Sequence, residues 1–116
     1  MAIPSGSGTE VLKRVSSLLG AGDSDTNILD GVANHIYTVL TISVYNIHAT
    51  NTASIKLKIM ESGSTTRFLG DHISVPSRGI FVWNDKFVMS GTDELFVNTT
   101  VDTGYFYVSY IDQDWT

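Results

Sequence analysis

Acidic and amide side chains crowd one short segment near the start of the chain. Residues 23–27 read Asp-Ser-Asp-Thr-Asn, and Asp30 follows. Oxygen ligands at alternate positions suit a hard cation such as calcium. The pattern departs from a calcium loop, because Ile28 occupies the position of the required glycine and Asn34 that of the bidentate acid. We therefore expect an Asp- and Ser-rich turn here and no metal site.

Histidine, serine and cysteine are the other residues that could support catalysis or ligation. The three histidines, His35, His48 and His72, do not lie at a metal-ligand spacing, and no HExxH pattern occurs. No serine sits in a G-x-S-x-G elbow. The sequence contains no cysteine, which excludes thiolate catalysis and Cys-based zinc sites within it. We expect neither an enzyme nor a bound cofactor.

Aromatic side chains form two groups late in the chain. Phe81, Trp83 and Phe87 lie in one apolar stretch, and the last stretch contains Tyr105, Phe106, Tyr107 and Tyr110. Such groups can form a sugar-binding platform, a stacking surface for nucleic acid, or a subunit interface, where Tyr and Trp are enriched. The alternation places them on both faces of their strands, so we expect some in the core and some at an interface. Trp83, Tyr105 and Tyr107 are the candidate partner-binding residues.

Length and charge limit the classes of protein. The 116 residues fit one domain, and 42% of them are hydrophobic, which predicts a packed globule. The net charge is −5, with only seven Lys and Arg, so neither a nucleic-acid partner nor an anionic membrane surface is expected. No apolar run approaches the ~20 residues that span a bilayer. The first residues lack the basic and apolar regions of a secretory signal.

Period-two alternation of apolar residues dominates the rest of the chain and predicts an all-β fold. The clearest segment is Ser54–Met60, where Ile55, Leu57 and Ile59 share one face. Turn signals recur at the spacing of a single antiparallel β-sandwich, either jelly-roll or immunoglobulin-like. The other predicted strands are His35–Asn46 (with Ile36, Thr38, Leu40, Ile42 and Val44 on one face), Thr66–Leu69, Ile73–Val75, Ile80–Met89 with a break at Asn84-Asp85, Glu94–Thr99 and Tyr105–Ile111.

The N-terminal segment has a different composition. Residues 1–9 are small and rich in Gly and Ser, which predicts a flexible arm ahead of a sandwich domain at residues 10–116. Ile3 and Pro4 are the candidate partner-binding residues of the arm. The periodicity of Glu10–Leu19 suits an amphipathic helix, whereas Val11, Lys13 and Val15 also fit a short edge strand.

Several segments together resemble small virion structural proteins of tailed bacteriophages, namely head decoration (cement) proteins and tail- or fibre-associated domains. The resemblance covers about residues 30–112. It is carried by Ala33–Val39 with Ile42–Asn46, Ile73–Pro76, Gly79–Met89, Gly91–Leu95 and Val108–Asp112.

The resemblance implies a β-sandwich without catalytic or metal residues, and it favours a strand over a helix at Glu10–Ser17. It also implies a virion location after synthesis in the host cytoplasm. The expected partners are the major capsid protein or other virion proteins, and further copies of the chain, with a trimer as one option. The leading hypothesis is a capsid decoration protein. A tail or fibre component and a carbohydrate-binding module for host glycans are the alternatives.

Overall fold

A computed structural model of the chain describes residues 9–19, 24–62, 64–100 and 104–115. These residues form nine strands and no helix, so none of them lies in a helix that could cross a membrane. The strands are β1 (Thr9–Leu18), β2 (Ser24–Asp30), β3 (His35–Asn46), β4 (Ala53–Glu61), β5 (Thr65–Val75), β6 (Ile80–Trp83), β7 (Phe87–Ser90), β8 (Glu94–Thr99) and β9 (Gly104–Asp114).

The strands form two antiparallel sheets. Sheet A has the order β1-β9-β3, and β6 and β7 both pair with the far edge of β3. Sheet B has the order β2-β8-β4-β5. If β6 and β7 are counted as one interrupted strand, the eight strands have the order of a jelly roll, and each connection except the β4–β5 hairpin crosses between the sheets. The predicted all-β antiparallel sandwich is therefore confirmed.

The core lies between the two sheets and is built from alternate residues of their strands. In β4 the predicted inward face is confirmed, since Ile55, Leu57 and Ile59 are all buried. Large side chains without solvent exposure come from both sheets, including Val39, Ile42, Leu95, Val97 and Val108. A period-two pattern suits such a sandwich because successive side chains of a strand point to opposite faces.

The predicted inward face of β3 is wrong in its first half. Tyr37 and Val39 are buried, whereas Ile36, Thr38 and Leu40 are only half-buried. The pairing of β3 with β9 shifts between Val39 and Thr41. Leu40 is the extra residue of this bulge, and an extra residue reverses the facing of everything before it. Ile42 and Val44, beyond the bulge, face inward as predicted.

Three other segments test the predicted elements. The segment at Glu10–Ser17 lies within strand β1, as the resemblance implied. The segment predicted to be an acidic turn is instead strand β2, because it pairs with β8 and buries Ile28 and Leu29. The two short strands predicted around Gly70 form one strand, β5, with register irregularities in its pairing with β4. Ile3 and Pro4 lie outside the described residues, so the arm stays a prediction.

Candidate partner-binding surface

Sheet A turns one face to the core and the other, its outer face, to solvent. Cross-strand partners share a face, so the register defines rows across the sheet. One row runs Leu18–Tyr105–Tyr45–Ile80 and another runs Leu12–Ile111–Thr38–Val88. The outer face is defined here by its large exposed apolar side chains, each 44% to 72% exposed: Leu12, Leu18, Ile80, Val82, Val88 and Tyr107.

Tyrosine rings occupy one end of the outer face. Tyr45 and Tyr105 stack with ring centroids 5.1 Å apart, and Tyr107 meets Tyr105 edge-on at 5.9 Å. The guanidinium of Arg14 lies 5.9 Å from the ring centroid of Tyr107, within reach of a cation–π interaction. The structure thus brings together two of the predicted partner-binding residues, Tyr105 and Tyr107, and adds Tyr45.

Trp83, the third predicted residue of the aromatic group, lies on the opposite face of sheet A. It pairs with Ile42, whose side chain points into the core, and its ring packs against that core. Its indole N–H donates to the carbonyl oxygen of Asp85 at 2.8 Å, and Phe87 meets its ring edge-on. Trp83 is therefore not brought together with Tyr105 and Tyr107.

The outer face carries a shallow depression beside its tyrosines, lined by Ser16, Leu18, Tyr105 and Tyr107 among others, and a second one beside Leu12 and Arg14. Small-molecule sites are usually enclosed clefts that bury most of the ligand surface. A broad, shallow face that exposes large apolar side chains among polar ones is better suited to another macromolecule.

The most buried carboxylate of the described residues lies on the inner face, near the end of β9. Asp112 accepts hydrogen bonds from Lys13 Nζ and His35 Nδ1, each at 2.7 Å, and its side chain is 4% exposed. Burial raises the pKa of Asp112, but the hydrogen bonds from Lys13 and His35 outweigh it and hold the pKa below its ordinary value. The carboxylate therefore ties β1 and β3 to β9.

Two phenols lie beside this carboxylate. The rings of Tyr37 and Tyr110 are 4.8 Å apart. Burial raises the pKa of Tyr37, and the negative charge of Asp112 raises it further. Burial also raises the pKa of Tyr110, although the positive charge of Lys13 opposes this effect. A phenol with a raised pKa stays protonated at neutral pH.

The acidic segment of β2 uses its side chains within the fold. Asp25 accepts from Lys58 Nζ at 2.6 Å and from Asn98 Nδ2 at 3.1 Å. The hydrogen bond from Lys58 lowers the pKa of Asp25 against a smaller opposing effect of burial. Asn27 donates to Asp30. No three metal-capable side chains cluster among the residues that the structure describes, and Asp23 lies outside them.

Comparison with known proteins finds relatives by structure only. No protein-family model matches the chain, and no curated sequence matches it. A chain of the T13 viral particle of IBDV shares 10% identity at a TM-score of 0.61, covering 98% of this chain. This chain spans only 33% of that one.

Two further solved structures match over nearly their whole lengths. A chain of the Bacillus endospore appendages, which are disulfide-linked pili, shares 15% identity at a TM-score of 0.57, covering 100% of this chain and 97% of that one. A chain of the acidic stable capsid of Helicobacter pylori bacteriophage KHP30 shares 5% identity at a TM-score of 0.57, covering 94% of each. The chain shares its fold with all three. At these identities the likeness extends to the fold alone.

Sequence reasoning missed most of the outer face. Tyr45 carried a weak signal, since it alternates with the buried Val44, but its stacking partner lies sixty residues later in the chain. In the same way, Ile80, Val82 and Val88 alternate along their strands with residues that face the core. Their joint exposure depends on the register that aligns β6 and β7 with β3.

Proposed function

We propose that this chain is a non-enzymatic structural protein of a tailed-phage particle, specifically a capsid decoration protein that binds the head lattice through the outer face of sheet A. The observation that carries the proposal is the outer face itself. Its six large apolar side chains share one face of one sheet. Several large apolar side chains exposed on one face of a folded domain indicate an interaction site.

The sequence resemblance to phage decoration proteins supports the same assignment, and the fold shared with viral capsid chains is compatible with it. A decoration protein binds a repeated lattice in many copies. Modest affinity at each contact is then sufficient, because multivalent attachment raises the overall avidity. The two-sheet scaffold suits this role, since the backbone of the outer face is already ordered by its strand pairing before binding.

The predicted arm supplies a second attachment. Ordering each of its residues costs about 1–2 kcal/mol of backbone entropy. Ile3 is its largest apolar side chain after the first methionine, and full burial would contribute roughly 1.5–3 kcal/mol. Pro4 lowers the ordering cost because its φ is already restricted. We propose that Ile3 and Pro4 clamp the arm onto a neighbouring virion subunit.

The test measures co-sedimentation of the purified chain with heads and with tails of the encoding phage, each depleted of the native protein. We expect binding to heads and its loss in Ile80→Lys. Phe68→Lys is the matched control, since Phe68 is equally exposed, at 56%, but lies on β5 of sheet B. Deleting residues 2–8 should weaken binding and leave the melting curve of the free chain nearly unchanged.

Three outcomes would contradict the proposal. Binding to tails alone would favour a tail- or fibre-associated role. Equal loss in both lysine variants would exclude the outer face as the docking surface. A glycan-array signal that disappears in Tyr107→Ala, without binding to heads, would favour a carbohydrate-binding module.

A second candidate is a fibre-associated structural protein that assembles end to end. The likeness to the endospore pilus chain over 100% and 97% of the two lengths favours it. Negative-stain electron microscopy of the purified chain tests it directly, because an end-to-end subunit forms filaments and a decoration protein does not.

A further inference from the structure

Strand β1 is an unusually open edge of the sandwich. It pairs with β9 on one side, and no described strand pairs with its other side. Its ten residues contain no proline, and the register with β9 runs without irregularity from Thr9 to Leu18. A long, regular and exposed edge strand is a template for pairing with another chain.

The other edges of the two sheets are less suited to pairing. At the far edge of sheet A, β6 and β7 have four residues each and are separated by Asn84–Lys86. In sheet B, the pairing of β5 and that of β2 with their neighbours are both irregular, which bends and twists an edge. Among the described strands, the best match for the edge of β1 is therefore β1 of a second copy.

A hydrogen bond at the end of β1 shows which of its residues direct their backbone groups toward β9. The N–H of Leu19 donates to the carbonyl oxygen of Gly104 at 2.9 Å, in register with the ladder. In an antiparallel ladder the residues that exchange hydrogen bonds alternate. The odd-numbered residues of β1 therefore direct their N–H and C=O groups to β9. The even-numbered ones, such as Leu12 and Arg14, direct theirs outward.

We propose that two copies of this chain pair through β1, antiparallel, about a two-fold axis at Leu12. Leu12 of one copy then lies opposite Leu12 of the other. The two residues exchange both backbone hydrogen bonds, because their N–H and C=O groups point away from β9. Glu10 of each copy lies opposite Arg14 of the other, on the same face of the sheet. Val11 lies opposite Lys13, whose ammonium is already bound to Asp112 at 2.7 Å.

Charge selects this register over its neighbours. An axis at Lys13 places Lys13 opposite Lys13, and an axis at Arg14 places the two Arg14 side chains side by side. Like charges directly opposite each other destabilise a strand pair, whereas opposite charges contribute to it. Axes nearer either end of β1 shorten the ladder and leave Glu10 and Arg14 unmatched. Only the axis at Leu12 pairs both charges of the outer face.

The geometry has a consequence for docking. The two-fold axis runs perpendicular to the plane of the sheet. It joins the two copies of sheet A into one sheet and turns both outer faces to the same side. The apolar surface available to a lattice is thereby doubled. This consequence rests on the proposed function, whereas the pairing is tested on the isolated chain in solution, so that either can fail without the other.

The first measurement is the mass of the full chain by sedimentation equilibrium over a range of concentrations. We expect twice the 12.7 kDa of one chain. A monomer at the highest soluble concentration, a trimer, or growth into filaments would each overturn the proposal. Filaments would mean head-to-tail contacts, which do not close.

Charge reversal tests the register. Glu10→Arg and Arg14→Glu should each weaken dimerisation by about tenfold, because every dimer contains the pair twice. The double variant should restore most of the affinity. Arg67→Glu is the control, since Arg67 is an exposed residue of β5 that pairs with Glu61. Failure of the double variant to recover, or an equal effect of Arg67→Glu, would exclude this register.

Disulfide trapping locates the axis in a chain that has no cysteine of its own. Opposed residues of a hydrogen-bonded pair have Cα atoms about 5.5 Å apart, which a disulfide can bridge. Leu12→Cys should therefore form a covalent dimer on oxidation. Leu18→Cys should not, although Leu18 is equally exposed (70% against 72%) on the same face, because its two copies would lie about 40 Å apart. Equal trapping of both variants, or of neither, would overturn the proposed axis.

Discussion

Replacing Asp112 with asparagine should lower the free energy of unfolding by about 2 kcal/mol. Its carboxylate accepts from both Lys13 and His35 at 2.7 Å. The side-chain amide offers one acceptor oxygen in place of two, so one of these donors loses its partner. A hydrogen bond to a charged group contributes about 1.5–3 kcal/mol where the site is buried. The side chain of Lys13 is 44% exposed, so its ammonium can turn to water when the carboxylate is replaced.

The size of the expected effect makes it measurable by thermal denaturation. The entropy of unfolding is about 2.1 cal/mol/K per residue, or roughly 240 cal/mol/K for 116 residues. A loss of about 2 kcal/mol then lowers Tm by about 8 °C. Circular dichroism at neutral pH is sufficient to measure this shift.

The effect should also depend on pH in a defined direction. The folded state holds the pKa of Asp112 below its ordinary value. The unfolded chain therefore binds the proton first as the pH falls, and the contribution of Asp112 is complete above the ordinary aspartate pKa of about 3.9. It is lost as the pH falls through the lower folded value. The Tm difference between wild type and Asp112→Asn should accordingly shrink in acid.

Asp71→Asn is the matched control for Asp112→Asn. Asp71 also contacts a histidine, His72, at 2.9 Å, but both side chains are exposed, at 45% and 77%. Exposed pairs contribute about 0–1 kcal/mol. Equal Tm shifts in the two variants, or a difference for Asp112→Asn that persists unchanged in strong acid, would refute the reasoning from burial.

Two further outcomes are expected from single positions. Gly31→Ala should lower stability by about 3 kcal/mol or more in urea denaturation, because a Cβ there would overlap the backbone oxygens of Gly91 and Asp93, the latter at 2.8 Å. At Gly91 a Cβ would meet nothing within 4 Å, but the residue has a φ of +59°, so Gly91→Ala should lower the free energy of unfolding by only about 1–2 kcal/mol. A larger loss for Gly91→Ala than for Gly31→Ala would be inconsistent with this packing. Millimolar calcium should leave Tm nearly unchanged because Asp25 is engaged by Lys58; a rise of several degrees that Asp25→Ala abolishes would instead establish a site.

The clearest strand could be predicted because its pattern is local. In β4 the alternation of Ile55, Leu57 and Ile59 with polar residues is continuous, so the facing of each side chain follows from its position. Strand β3 shows the limit of such patterns. Both of its alternating sets contain apolar residues, and the bulge at Leu40, which decides which set is buried, arises in the pairing with β9.

Strand β2 was missed because its composition is typical of turns. Asp and Asn are depleted in strands, and their side chains compete for backbone hydrogen bonds. Pairing with β8 and the burial of Ile28 and Leu29 nevertheless make the segment a strand. Tertiary contacts override a weak local preference when they bury enough apolar surface.

The candidate surface was likewise predictable from the sequence only in part. The sequence by itself determined the all-β class, and it supplied Tyr105 and Tyr107 as candidates, because residue type and period-two spacing are local properties. Only the tertiary structure turned Trp83 toward the core and brought Tyr45, Leu18 and Ile80 into one row. With Tyr105, the residues of this row come from four strands that are far apart in the chain. Their facing and alignment depend on the register between strands, which is decided by how the whole core packs.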